Sequence, residues 1–366
     1  MSALAYESSS AEVDHTLADV LSQFALPLGY NDIPAAVRER AKHLILDSVG
    51  IALASTKYPF ASVSLAALQE LGTGTSAVIG VGRRLSLRDA VLMNGILVHG
   101  LDFDDTHSRG VIHATASSFP CALALADRDD ADGETLLAAY VAAMEVATRL
   151  GSVAKGGFHQ VGFHPTGLIG AFGCALAAAK LLGLDPQRAT MAQGIVLSMA
   201  SGSLEFLEGG AWTKRMHPGW AGVAGITAAT LAKHGFVGPR GAYDGRFGLY
   251  ASHLGSHFAQ ADLTLATEAL GRSWQIDEVA VKPIPACHFA HAAADAAVAL
   301  HDKYHLPAKD IRRVRVLVPQ EVVKTVCEPI ANKRNPANSY DAQFSIPYIV
   351  ATGLLKGRFT LAELED

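Results

Sequence analysis

Two stretches limit what this chain can fold into. HPTGLIGAFGCALAAAKLLGLD (164–185) and GWAGVAGITAATLAKHGF (219–236) are built mainly from Ala and Gly, with a few larger apolar residues. Each has the length of a helix and is apolar on nearly every side. A helix of that kind belongs in the middle of a bundle, where small side chains let neighbouring backbones come close. The composition supports a large buried core: half of the 366 residues are hydrophobic and only 18% are charged.

Further helices follow from local signals. In DIPAAVRERAKHLILDSVGIALAS, Asp32 can cap, Pro34 falls in the first turn, and Val37, Ala41, Leu44, Ile45, Val49 and Ala52 share one face. Residues 87–103 and 132–154 read as two more helices, and SAVIGVG (76–82) as a short strand or extended loop. The composition changes after about residue 270. ADAAVALHDKYHL and residues 339–357 are again helical. IRRVRVLVPQ (311–320) alternates, with Val314, Val316 and Val318 on one face, and predicts a half-buried strand. The expected fold is mainly α: a large all-helical domain over 1–268 and a smaller α+β unit over 269–366.

Several classes are excluded. The formal net charge of −5 carries no basic nucleic-acid footprint. Four scattered cysteines, without a CxxC pair, argue against a disulfide framework, a zinc knuckle or an iron–sulfur cluster, and point to a reducing cytoplasm. The N-terminal MSALAYESSSAEVDHTL lacks the basic and apolar regions of a signal peptide. Apolar runs break before about 18 residues, so no membrane partner is expected. No phosphate loop, GxSxG or HExxH motif is present.

Titratable groups are concentrated in four places. HGLDFDDTHSRGVIHATASS (99–118) holds three Asp and three His. Asp102, Asp104 and Asp105 follow an apolar helix, where carboxylates oppose the helix dipole and so need another justification. His107 and His113 lie in the Gly-containing loop beyond and suit proton exchange. In GFHPTG (162–167), His164 stands at a helix N-terminus, a place that favours anions. In EGGAWTKRMHPG (208–219), Lys214, Arg215 and His217 put positive charge before a helix expected to begin near Pro218. KPIPACHFAH (282–291) places Lys282, Cys287, His288 and His291 near the domain junction, where a shared site would form. Together they describe one site, with Asp and His for proton transfer and Lys, Arg and a helix end for carboxylates.

At these four places, through HGLDFDDTH, GFHPTG, AWTKRMHPG and KPIPACHFAHAAADA, the sequence resembles the MmgE/PrpD family. That family includes 2-methylcitrate dehydratase, cis-aconitate decarboxylase and iminodisuccinate epimerase. The resemblance extends from AKHLILDSVGIALA to DAQFSIPYIVATGLL. It implies a helical domain with an α+β lid, a homodimer, no metal and no cofactor, and an active site between the domains. By motif it assigns Asp102, Thr106, His164 and Lys214 to the site, and places His113 where the decarboxylases carry a further His. Lys282 matches a family Lys. Cys287 stands where the decarboxylases have a His, with His288 one step later. A C-terminal segment that returns to the helical domain in the family is expected to be missing after Asp366.

The reaction expected from this reading is dehydration of a 2-hydroxy tricarboxylate, as in 2-methylcitrate dehydratase. His113 and His164 would transfer protons and Asp102 would orient one of them. Lys214 would hold a substrate carboxylate, with Lys282 and Arg215 assisting, and Thr106 and His288 would complete the binding set. Decarboxylation and epimerisation use the same kind of carbanion. The rivals are a metal-dependent hydrolase with Asp104, Asp105, His107 and His113 as ligands, and a non-catalytic helical scaffold.

Overall fold

The computed structural model describes residues 15–365. The first part of the chain is a stack of helices: α1 (Leu17–Ala25), α2 (Ala35–Ser55), α3 (Pro59–Leu71), α4 (Leu87–His99), α5 (Ala114–Arg128), α6 (Gly133–Val153), the single turn α7 (Gly157–Gln160), α8 (Pro165–Leu181), α9 (Pro186–Leu197), α10 (Thr213–Lys233) and α11 (Leu249–His253). Residues 76–82 become a hairpin, β1 (Ser76–Val78) with β2 (Val81–Leu85). A second two-stranded ladder joins β3 (Thr106–His107) to β4 (Val279–Ala280), which ties the acidic loop to the chain entering the second unit.

The two Ala/Gly helices occupy the middle, as their composition requires. Helix α8 packs along α10, and α10 in turn packs on α4. A Cβ on Gly225 would stand 2.5 Å from Cys174 Cβ on α8, and a Cβ on Gly219 would stand 2.4 Å from the Leu92 carbonyl oxygen on α4. Only glycine permits these crossings.

Helix α6 has the length and apolar composition to cross a bilayer, yet it is buried almost throughout among its neighbours. Its buried pair, Glu145 and Arg149 at 3.3 Å, is completed by backbone. Arg149 donates to the carbonyls of Glu268 and Ser273, and Ile276 N–H donates to Glu145. The charges thus pin the connecting segment onto the helical core. The N-terminal segment as far as residue 14 lies outside the described residues.

The second unit is built on α12 (His291–Tyr304) packed against α16 (Ile346–Lys356), with the short helices α13 (Gln320–Val326), α14 (Ile330–Arg334), α15 (Ser339–Gln343) and α17 (Leu361–Glu365) around them. It has its own apolar cluster, which includes Ala290, Ala294, Ala297, Val326, Ile349 and Val350 and accepts Phe206 from the first part.

Two expectations are corrected here. Residues 311–319 form no strand: the described ladders are only β1–β2 and β3–β4, so this stretch has no strand to pair with among the described residues. Val316 and Val318 pack on the second core, but Val314 is exposed. Helix α10 starts at Thr213 rather than near Pro218, and Pro218 lies inside it. Proline there gives up one backbone bond and its ring crowds the carbonyl of Lys214, yet the helix extends back over Lys214 and Arg215.

The α4–α10 crossing makes a direct prediction. Gly219→Ala is expected to lower unfolding stability by about 1–3 kcal/mol, the usual cost of overpacking against backbone. Chemical denaturation measures this, and an unchanged midpoint would contradict the close approach.

Candidate active site

Three helix ends meet at one place: the C-terminus of α4, the N-terminus of α8 and the N-terminus of α10. The loop after α4 carries the acidic cluster inward. Asp102 takes a left-handed backbone conformation, with φ of +47°. Asp102, Asp104 and Asp105 are all buried.

Asp102 is the electrostatic hub. Its Oδ1 forms an ion pair with Lys214 Nζ in the first turn of α10. Lys282 Nζ stands 3.4 Å from the same oxygen and donates to the Asp102 carbonyl at 2.8 Å. Burial pushes the Asp102 pKa up, but the two ammonium groups prevail and hold it well below the usual carboxylate value. Gln343 Nε2 donates to the carbonyl of Leu101 and, at 3.0 Å, to that of Pro285, so one amide ties the loop to the second unit.

The other two carboxyls diverge. Asp104 accepts from His99 Nδ1 at 2.7 Å and has His113 nearby; these imidazoles overcome burial and bring its pKa down to about 2. Asp105 is raised to about 7, chiefly by burial, although it accepts the Thr115 hydroxyl.

Three imidazoles face each other. Ring centroids of His99 and His113 lie 4.9 Å apart, those of His99 and His164 5.5 Å, and those of His113 and His164 6.1 Å. Burial is the largest cause that lowers the pKa of each, so all three are neutral near pH 7. His113 precedes α5, and its Nδ1 donates to the Asp105 carbonyl at 2.8 Å. A carbonyl only accepts, so Nδ1 carries the proton and Nε2 is a free base. His99 donates Nδ1–H to the ionised Asp104, which leaves its buried Nε2 bare and without a protein partner. His164 precedes α8 and meets His217 Nδ1 through its own Nδ1 at 3.0 Å.

These groups enclose a cavity of ≈50 Å³ between the two parts of the chain. Asp102, Thr106, His113, His164, Lys214 and His288 all line it, beside Phe206, Cys287 and Phe344. A larger neighbouring cavity of ≈410 Å³ shares His159, Leu204, Leu207 and Thr325 with it and leads outward. Lys282 sits behind Asp102. Arg215 is a correction: it is not at the cavity. Its Nε donates to the Gly100 carbonyl at 2.7 Å, and its guanidinium lies over Phe60 and Tyr340. Successive helical residues point about 100° apart, so Lys214 and Arg215 cannot serve the same pocket.

The ligand set of the metal reading, Asp104, Asp105, His107 and His113, is not gathered. Asp105 turns to Thr115, and His107 accepts from Gly110 N–H at 3.1 Å and faces Glu278. Among the described residues, the group placed closely enough to hold a metal is instead His99, His113 and His164, with one ring nitrogen each within 4.8 Å of the others. Sequence reasoning missed His99 as a site residue, although its spacing of five from Asp104 allows a contact across a helix end. It also treated His217 only as local positive charge.

Residues 19–261 match the MmgE/PrpD N-terminal domain, and residues 284–366 match the MmgE/PrpD C-terminal domain. The chain belongs to the MmgE/PrpD family. Among curated relatives, it is 28% identical over 364 positions to a cis-aconitate decarboxylase-like protein of Aspergillus oryzae, across 94% of this chain and 74% of that one. It is 26% identical over 376 positions to a cis-aconitate decarboxylase of Aspergillus terreus, across 98% and 76%. It is 30% identical over 344 positions to the cis-aconitate decarboxylase of Homo sapiens, across 90% and 68%. The MmgE/PrpD match covers both sides of the cavity.

Two predictions follow from the charges. Asp102→Asn leaves two buried ammonium groups without a counter-ion and is expected to cost about 3–5 kcal/mol in a denaturation experiment; a loss below about 1 kcal/mol would contradict the hub. The second concerns pH. His107, His159, His217 and His291 are each lowered to about 4, mainly by burial, from an ordinary value of 6.5. Unfolding therefore takes up protons between about pH 6.5 and pH 4, and stability falls as pH drops through that window. Asp105 acts in the opposite sense: its raised pKa gives a contribution that is full at acid pH and lost as pH rises through about 7. Because the histidines outnumber it, the wild type should gain stability from about pH 4.5 to about pH 7, and Asp105→Asn should gain more steeply. A pH-independent difference between the two proteins would refute the Asp105 assignment.

Proposed function

We propose that this chain is a lyase acting on a di- or tricarboxylate through a carbanion formed next to a carboxylate. The observation that carries this is a mostly apolar cavity lined by the neutral imidazoles of His113 and His164, each in ring contact with His99, and by Lys214, which is paired to Asp102 beside Lys282. Lys214 and Lys282 supply the positive charge that a carboxylate and an adjacent enolate-like charge require. Both are already positioned by Asp102, so little reorganisation accompanies the reaction.

For the bond cleaved, the reading is loss of CO₂ from a cis-aconitate-like tricarboxylate, supported by the names of the relatives. The carboxylate to be lost faces Phe206 and Phe344, where its charge is poorly solvated. The carbon–carbon bond breaks, CO₂ leaves, and the electron pair spreads into the unsaturated acid held by Lys214. His164 then delivers a proton to carbon. Dehydration of a 2-hydroxy tricarboxylate of the 2-methylcitrate type is a second reading. It is favoured by the free Nε2 of His113, a base that removes a proton beside a carboxylate and that simple decarboxylation does not need. The proposal includes a homodimer, a cytoplasmic setting and no cofactor.

The purified protein is incubated separately with cis-aconitate and with 2-methylcitrate, and CO₂ release and the absorbance of the unsaturated acid are followed. CO₂ from cis-aconitate supports the first reading. Unsaturated product from 2-methylcitrate without CO₂ supports the second, and inertness of the folded protein to both overturns the proposal. His113→Ala and His164→Ala are each expected to lower kcat/KM by about 10²–10⁴-fold with the fold intact. Dialysis against a chelator is expected to leave turnover unchanged.

A further inference from the structure

His217 lies outside the cavity, yet it touches one of the site's buried imidazoles. Its Nδ1 stands 3.0 Å from His164 Nδ1. His217 is half-buried in the second turn of α10 and belongs to the wall of a different hollow, ≈810 Å³ in volume and open to solvent. His164 lines the inner cavity, so the imidazole pair spans the wall between the two spaces. The backbone makes room for it on both sides. A Cβ on Gly167 would stand 2.9 Å from His217 Cβ, and a Cβ on Gly202 would stand 3.5 Å from His217 Nδ1.

In a bond between two Nδ1 atoms, one ring donates and the other accepts. The cavity decides which. His99 and His113 both have their protons on Nδ1, so each leaves its Nε2 bare, and the three rings bring one nitrogen each within 4.8 Å of the others. Asp102 Oδ2 and Asp104 Oδ1 are further buried acceptors without a protein partner. A bare Nε2 on His164 would add one more lone pair to this acceptor-rich wall. An N–H there is complementary to it. His164 Nε2 therefore carries the proton, its Nδ1 is the acceptor, and the donor is His217.

We propose that His217 is a positioning residue that donates its Nδ1–H to His164 and so keeps the His164 proton on Nε2, where it faces the substrate. The role rests on the reading of His164 as the proton donor in the proposed reaction. When His164 gives its Nε2 proton to carbon, the same Nε2 takes a proton back from a water molecule that enters as product leaves, while the His217 Nδ1–H stays in its bond to His164 Nδ1. The electron pair left by the departing CO₂ ends in the new carbon–hydrogen bond, and hydroxide remains in solvent to combine with CO₂ as bicarbonate.

The test has an arm that needs no activity. In histidine-labelled protein, long-range nitrogen–proton NMR reads which nitrogen of His164 is protonated, with His164→Ala used for assignment. The expected result is a protonated Nε2 and a bare Nδ1 in the wild type, with that pattern lost in His217→Leu. A His164 proton on Nδ1 in the wild type overturns the proposal. In the second arm, turnover of cis-aconitate or 2-methylcitrate, whichever is consumed, is compared between variants. His217→Asn retains a donor and should stay within about tenfold of wild-type kcat. His217→Leu should lose about 10²-fold or more in kcat with KM nearly unchanged, the pattern of a group held in the wrong tautomer. If His164→Ala is inactive while His217→Leu is fully active, the positioning role fails and the donor assignment stands. If His164→Ala is fully active, the donor assignment itself fails, and the NMR result alone decides the tautomer. Should His217→Leu not fold, the Asn variant and the wild-type spectrum still decide.

Discussion

One buried carboxylate, Asp102, holds the rest of this structure in order. It lies in a left-handed turn after α4 and neutralises an ammonium from α10 and another from the chain entering the second unit. Removing three charges from water costs more than most ion pairs return, so a well-packed apolar cluster would serve stability as well or better. What the arrangement supplies is position. Two cations are fixed at the seam between the two apolar clusters, with their field directed at a space that a carboxylate can enter.

That seam exists because the helices behind it come unusually close. The crossings of α10 on α4 and α8, through Gly219 and Gly225, leave no room for even a methyl group. Close crossings bring the C-terminus of α4 and the N-termini of α8 and α10 to one place. His99, His164 and Lys214 stand at those ends. The Ala/Gly richness is therefore a packing feature with a chemical consequence, since bulkier helices would hold the three ends apart.

Burial then does the electrostatic work. It keeps the imidazoles neutral and raises Asp105, while the neighbouring charges keep Asp102 and Asp104 ionised. Neutral rings in hydrogen bonds have defined tautomers, and their partners decide whether each acts as donor or acceptor. Asp104 settles His99 and the Asp105 carbonyl settles His113. Both rings therefore carry the proton on Nδ1 and leave Nε2 bare while staying uncharged.

The sequence by itself determined the helical class, the central place of the two Ala/Gly helices, and the short stretches that carry titratable groups, because periodicity and composition are local properties. It placed Asp102, Thr106, His113, His164, Lys214 and His288 in segments that the fold brings to one cavity. Tertiary structure decided what depends on neighbours. Residues 311–319 alternate like a strand but have no strand to pair with. Arg215 has the right charge but leaves α10 at the wrong angle and packs against Phe60 and Tyr340. His99 and His217 gain their importance from Asp104 and His164 across helix ends, a relation that no local pattern encodes. Hydrogen-bond partners and burial are properties of the assembled packing, and they set which nitrogen holds a proton and which carboxyl stays charged.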